Sequence, residues 1–253
     1  MGYALVTGAS SGIGEQFVYA LDKRGYICIL VSRREDRLIE INNKLKHKGI
    51  VITADLSKEE ECFGLCEKLK DYKIDMFINN AGLGYCSDIL SYDIAYDINM
   101  INVNIKAMHI LLKYMLLHMK GYNSGTIINV ASIAGLMGAG PYMSTYYATK
   151  SYVTSLTKGI VQELKDINSN IYVGCLCPGP VKSEFDKNAG VEFSLKGISS
   201  ELCVKEALKG MDRQKTVIIP TLRLRIAMVL SCLVPQSLII KFVSKNQKKK
   251  IYK

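Results

Sequence analysis

Residues 3 to 14, "YALVTGASSGIG", decide the fold of this chain. Five residues of strand character run directly into a glycine-rich turn, and a helical pattern, "EQFVYALDKRG", follows. Gly8 permits a tight turn, Gly12 lets the backbone approach a phosphate group, and Gly14 lets the helix sit close against the strand. A helix N-terminus placed after such a turn presents free amides and a positive dipole end, which suits a pyrophosphate.

The pattern recurs as far as residue 220. "YICILVS" (26–32), "IVITAD" (50–55), "IDMFINN" (74–80), "TIINVAS" (126–132), "IYVGCLC" (171–177) and "TVIIP" (216–220) also read as strands. Most are apolar throughout rather than alternating, as strands covered on both faces are. Between them lie segments with apolar residues every three or four positions, the longest running from 95 to 121. Seven strands with intervening helices predict an α/β chain: a single-domain, doubly wound, seven-stranded parallel sheet with helices on both faces. The expected domain is 1–220, with 221–253 as a C-terminal extension.

At 253 residues, 49% of them apolar, the chain can bury one sizeable core. Eight cysteines without regular spacing, and a start that has no signal-peptide pattern, predict a cytoplasmic chain with reduced thiols. Cys175 and Cys177 lack the companion ligands of a zinc site and read as buried strand residues, so no metal is expected. The net charge of +10 is unevenly placed. Residues 221–253 hold eight lysines and arginines and no acid, which leaves only +2 for the rest.

The spacing Gly8-x-x-x-Gly12-x-Gly14 resembles the glycine motif of the short-chain dehydrogenase/reductase family. "NNAG" at 79–82, Asn104, Ser132, "YYATK" at 146–150 and "PGPVKSEF" at 178–185 follow in that family's order. The resemblance implies a Rossmann-type fold and a nicotinamide cofactor held by the loop of Gly8, Ser10, Ser11, Gly12, Ile13 and Gly14. It further implies that Asp55 and Leu56 flank the adenine, that Asn80, Ala81 and Gly82 meet the ribose, and that Pro178, Gly179, Val181 and Ser183 meet the nicotinamide and phosphates. At the tip of the second strand an NAD-binding chain usually carries an acid; here stands "SRRED". Ser32 and Arg33 suit a 2′-phosphate through charge-assisted hydrogen bonds, with Arg34 stacking on the adenine or adding charge, so NADP(H) is the expected cofactor.

The stretch "PYMSTYYATK" (141–150) holds three tyrosines before Lys150. Tyr146 and Tyr147, four and three residues before the lysine, can each share its helix face, whereas Tyr142 precedes the helix. The family's Tyr-x-x-x-Lys motif selects Tyr146. A phenol with a reference pKa of about 10 needs nearby positive charge to act as a base near neutrality. The resemblance then implies that Tyr146 exchanges a proton with the substrate oxygen while Lys150 also holds the nicotinamide ribose, and that both belong to the cofactor-binding set. Ser132 would hydrogen-bond the oxyanion, and Asn104 would hold a water that links Lys150 to solvent. Fourteen residues separate Ser132 from Tyr146, one more than the commonest family spacing, and the glycine-rich loop between them can absorb it.

Residues 184–200 are the expected substrate lid, with Phe185, Val191 and Phe193 apolar; Leu83, Met137, Tyr142 and Met143 would form the opposite wall. An apolar carbonyl or alcohol is therefore the expected substrate and a homo-oligomer, dimer or tetramer, the expected assembly. The competing function is a cofactor-binding regulatory or assembly protein without turnover. For 221–253 two readings stand. Helices packed beside the pocket or a subunit interface, ending in a solvated lysine tail, are favoured; a basic amphipathic segment in peripheral contact with an anionic membrane is the other. Nucleic acid is not expected, because no aromatic-rich surface accompanies the lysines.

Overall fold

The structure is a computed structural model that describes residues 1–182, 184–185 and 197–251, the last three by backbone alone. Ser183, Val191 and Phe193 lie outside the described residues, as does most of the expected lid.

The seven predicted strands form one parallel sheet: β1 (Tyr3–Thr7), β2 (Ile27–Ser32), β3 (Ile50–Thr53), β4 (Ile74–Asn79), β5 (Gly125–Val130), β6 (Ile171–Leu176) and β9 (Val217–Ile218). Their order is β3-β2-β1-β4-β5-β6-β9, all in parallel register. Residues of each central strand alternate between two buried layers. Leu5, Ile29, Phe77 and Ile127 face α3 (Glu59–Leu69), α5 (Met108–Lys120) and α6 (Ser144–Asp166). Ala4, Val6, Leu30 and Ile78 face α1 (Gly12–Lys23), α2 (Glu35–Asn43) and α7 (Ser200–Asp212). Apolar residues at successive strand positions are thus explained by a sheet covered on both faces.

The strand order reverses between β1 and β4. At such a switch point the connections leave in opposite directions and open a crevice beyond the carboxyl ends of the strands. The glycine turn follows β1, Ser32 ends β2, Asn80 follows β4, Ser132 follows β5 and Pro178 follows β6, so the topology alone gathers these residues at one rim.

Two features depart from the expected pattern. The single long helix predicted over 95–121 is α4 (Ile94–Ile101), a π-helical turn (Asn102–Ala107) and then α5. A π turn inserts one residue without disturbing the apolar recurrence on either side, which is why periodicity does not reveal it. Second, β7 (Val181–Lys182) and β8 (Ile198–Ser199) form a separate two-stranded parallel pair. The C-terminal stretch is helical, α8 (Leu222–Ser231) and α9 (Gln236–Ile251), on either side of Pro235.

Candidate active site

A cavity of about 870 Å³ occupies the crevice. Gly8, Ser10, Ser11, Gly12, Ile13, Ser32, Arg33, Arg34, Asp55, Leu56, Asn80, Ala81, Gly82, Ser132, Tyr146, Lys150, Pro178, Gly179 and Val181 all line it, so one space brings together most residues singled out above. Two of them, Gly8 and Gly12, take left-handed backbone, φ 64° and 57°. Gly14 sits behind the wall, where a Cβ would overlap the Gly8 carbonyl and lie 2.6 Å from Asn80 Nδ2. That closeness brings the start of α1 up to the cavity, and the free amides of a helix N-terminus make a cradle that fits a pyrophosphate. Gly14→Ala is expected to cost about 1–3 kcal/mol of stability by overpacking. It should weaken dinucleotide binding as well, read by thermal melting and cofactor titration.

Asn80 does more than border the cavity. Its amide donates to the carbonyls of Thr7 (2.9 Å) and Gly8 (3.3 Å), while the Thr7 hydroxyl accepts from the Asn80 and Ala81 N–H groups at 3.0 and 3.1 Å. The loop after β4 therefore clamps the glycine turn. On the β2 side, Arg33 is exposed. Burial pushes the Asp55 carboxyl up, but hydrogen bonds from Ser57 and the Arg33 charge outweigh it, and the carboxyl ends below its ordinary range. Arg34 is not arranged for stacking on an adenine. Its guanidinium donates to Ser10 Oγ (3.0 Å) and Ser11 Oγ (2.9 Å) and pairs with Glu184 at 2.8 Å, so it folds back across the glycine turn.

Lys150 and Asn104 form the buried floor. Lys150 is 4% exposed, and its ammonium donates to the Val130 carbonyl at 3.0 Å. Burial pushes it down to about 8. Asn104 stands in the π turn, outside the cavity wall, with all its polar atoms engaged: Oδ1 accepts from Leu83 N–H at 2.7 Å, and Nδ2 donates to the Leu83 carbonyl and Thr149 Oγ1 at 2.8 and 3.0 Å. A Cβ at Gly82 would lie 3.1 Å from Lys150 Nζ and 3.3 Å from Asn104 Oδ1, so the missing side chain leaves the gap between them. Lys150 Nζ is also 5.8 Å from the centre of the Tyr146 ring.

Ser132 caps the short 3₁₀ turn Ile133–Leu136, its Oγ accepting from Ala134 N–H at 3.1 Å. Among the described residues its own hydroxyl donates only to the Pro178 carbonyl, at a long 3.4 Å. Tyr147, one position beyond Tyr146, is turned about 100° around the helix. Its ring lies against Gly140 and its hydroxyl accepts from Gln247 at 3.4 Å.

Leu83, Met137, Met143 and Phe185 line the cavity as predicted. Tyr142 does not: its backbone is left-handed (φ 67°), and its ring packs into the cluster around Cys86 and Met143. Part of the wall lies beyond the expected residues. Tyr147 lines the cavity, and α8 and α9 contribute Leu224, Met228, Phe242 and Val243, with Asn246 and Gln247 as polar members. The available signal is the four-residue recurrence of Leu224 and Met228, and of Val243 and Gln247.

Residues 2–192 match the family described as short chain dehydrogenase. An uncharacterized oxidoreductase of Staphylococcus saprophyticus is 39% identical over 183 residues, 71% of this chain and 74% of that one. The human dehydrogenase/reductase SDR family member 11 is 33% identical over 192 residues, 72% of this chain and 74% of its own. Among solved structures, a short-chain dehydrogenase from Sphingobium yanoikuyae in complex with NADPH superposes with a TM-score of 0.83 at 28% identity, covering 94% of this chain and 95% of that one. The match runs from β1 through the loop after β6, taking in the glycine turn, the π turn and the Tyr146 helix, and it makes this chain a member of the short-chain dehydrogenase/reductase family of oxidoreductases.

Proposed function

We propose that this chain is an NADP(H)-dependent reductase that interconverts an apolar ketone or aldehyde and its alcohol in the cytoplasm. The observation that carries the reading is one cavity lined together by a glycine cradle, the Ser32–Arg33 tip, Ser132, Tyr146 and Lys150, and the apolar side chains of Leu83, Met137, Met143 and Phe185. The cofactor supplies a hydride when bound. Ser32 and Arg33 distinguish its 2′-phosphate, and Lys150, with donors to spare beyond Val130, holds ribose hydroxyls.

At the reacting end, Tyr146 gives its phenolic proton to the carbonyl oxygen as carbon is reduced, and Ser132 donates a hydrogen bond to the same oxygen. Ser132 can do so because its long contact with Pro178 is easily exchanged for a substrate oxygen. The proton lost from Tyr146 is replaced through Lys150, and Asn104 fixes the Leu83 backbone beside it. Leu83, Met137, Met143 and Phe185 exclude water from the apolar part of the substrate. The exposed stripe Ile94, Ile98 and Ile101 on α4 supports self-association as a homo-oligomer.

Fluorescence titration with NADPH and NADH tests the cofactor assignment. NADPH is expected to bind more tightly, and Arg33→Ala to weaken NADPH by about ten- to a hundredfold with little change for NADH. Equal affinity in the unmodified protein would sink it. NADPH oxidation with a panel of apolar aldehydes and ketones tests turnover.

A further inference from the structure

The helix pair α8–α9 has two unlike sides. Inward, Leu224 and Met228 border the cavity, Leu224 lies against Gly179, and Gln236 lies against Gly138. Outward, Leu222, Ile226, Val229, Leu230 and Leu233 recur at three- and four-residue steps, with exposures from 52% to 81%. No residue of α8 is buried. On α9, Leu238 and Phe242 continue the exposed apolar surface, and Lys241 and Lys245 are exposed beside them at the same spacing. An apolar stripe of this extent facing water marks a docking surface.

Charge selects the occupant. Residues 221–253 carry eight cations and no acid, so a second copy docked face to face would set one such segment against another. An anionic surface with an apolar interior satisfies both properties at once: the leucines enter the acyl boundary while lysines reach the headgroups along their own aliphatic stems. No described helix is long and apolar enough to cross a membrane, so the pair would lie on the surface.

We propose that the outer face of α8–α9 docks on an anionic lipid surface. Phe242 belongs both to this face, 68% exposed, and to the cavity lining, so docking brings the cavity's rim to the lipid. On the reductase reading above, the substrate class is then a carbonyl compound dissolved in the bilayer.

The test is co-sedimentation of the full chain with phosphatidylcholine vesicles, with and without phosphatidylglycerol. It needs no turnover, so its failure is separate from failure of the reductase reading, which NADPH oxidation measures. The chain is expected to pellet with the phosphatidylglycerol vesicles only and to be released by high salt. Two double variants touch neither cavity nor cofactor residues: Leu230→Glu with Leu233→Glu, and Lys241→Glu with Lys245→Glu. Each is expected to lower vesicle affinity by about tenfold or more, with melting temperature and NADPH affinity retained. Equal binding to both vesicle types, binding to neither, or unchanged binding by the folded variants overturns the proposal. So does a wild-type dimer that ignores vesicles and becomes a monomer on Leu230→Glu with Leu233→Glu, which would give the face to a second copy.

Discussion

Tyr146→Phe is expected to lower NADPH-dependent carbonyl reduction by about 10²- to 10⁴-fold, the usual contribution of a positioned proton donor, while Tyr147→Phe leaves turnover near the wild-type level. The two rings are neighbours, 6.3 Å apart between centres, and both border the cavity. Their surroundings separate them. Tyr146 lies near the Lys150 ammonium, whereas burial raises the Tyr147 phenol above its ordinary range and its hydroxyl already meets Gln247. NADPH affinity should be unchanged in both variants, since neither loses a contact of the cradle. Turnover retained by Tyr146→Phe, or lost only in Tyr147→Phe, reverses the assignment. A chain that binds NADPH tightly and turns over none of the panel, with or without Tyr146, would instead be a binding protein on the same fold.

Much of this arrangement is legible in the amino-acid sequence, for physical reasons that differ from part to part. Strand apolarity reports burial on two faces, and the chain order of strands separated by helices is enough to predict a doubly wound sheet; β1 to β6 and β9 coincide with their apolar runs to within a residue or two at each end. The glycine spacing reports a backbone shape, and Gly8 and Gly12 take the left-handed conformation that only such residues adopt without strain. Side-chain direction is less accessible. Arg34 carries the charge that suits a phosphate, but whether its guanidinium points outward or folds onto Ser10 and Ser11 depends on Glu184, which is 150 residues away in sequence. Tyr142 departs from its expected place because residue type does not announce a positive φ at a tyrosine. Which side of α8 and α9 covers the cavity is hidden for another reason. "TLRLRIAMVLSCLVP" is apolar around much of its helical circumference, so its pattern does not say which side meets the body.

Lys150→Met should separate the cost of the site from its use. Reduction is expected to fall by about a hundredfold or more, because the variant removes both a positioning group and the positive charge beside Tyr146. Stability should move the other way. Lys150 is buried with the Val130 carbonyl as its hydrogen-bond acceptor, and its affinity for a proton falls from the ordinary 10.5 to about 8. The unfolded chain therefore binds the proton more tightly than the folded one. Below pH 8 both states are protonated and the folded state bears the full penalty of a buried charge, about 3 kcal/mol relative to an unperturbed lysine. Between pH 8 and 10.5 only the unfolded state stays largely protonated, so this group's contribution to stability improves as pH rises. A methionine of similar length fills the space without the charge. The variant should consequently melt above the wild type at pH 7, with the advantage shrinking as the pH is raised towards 10. Thermal melts of both proteins across that range, without cofactor, measure it. A variant less stable at pH 7 than at pH 10 relative to wild type would mean that the ammonium is held by compensating contacts; one that kept its turnover would remove Lys150 from the proton path.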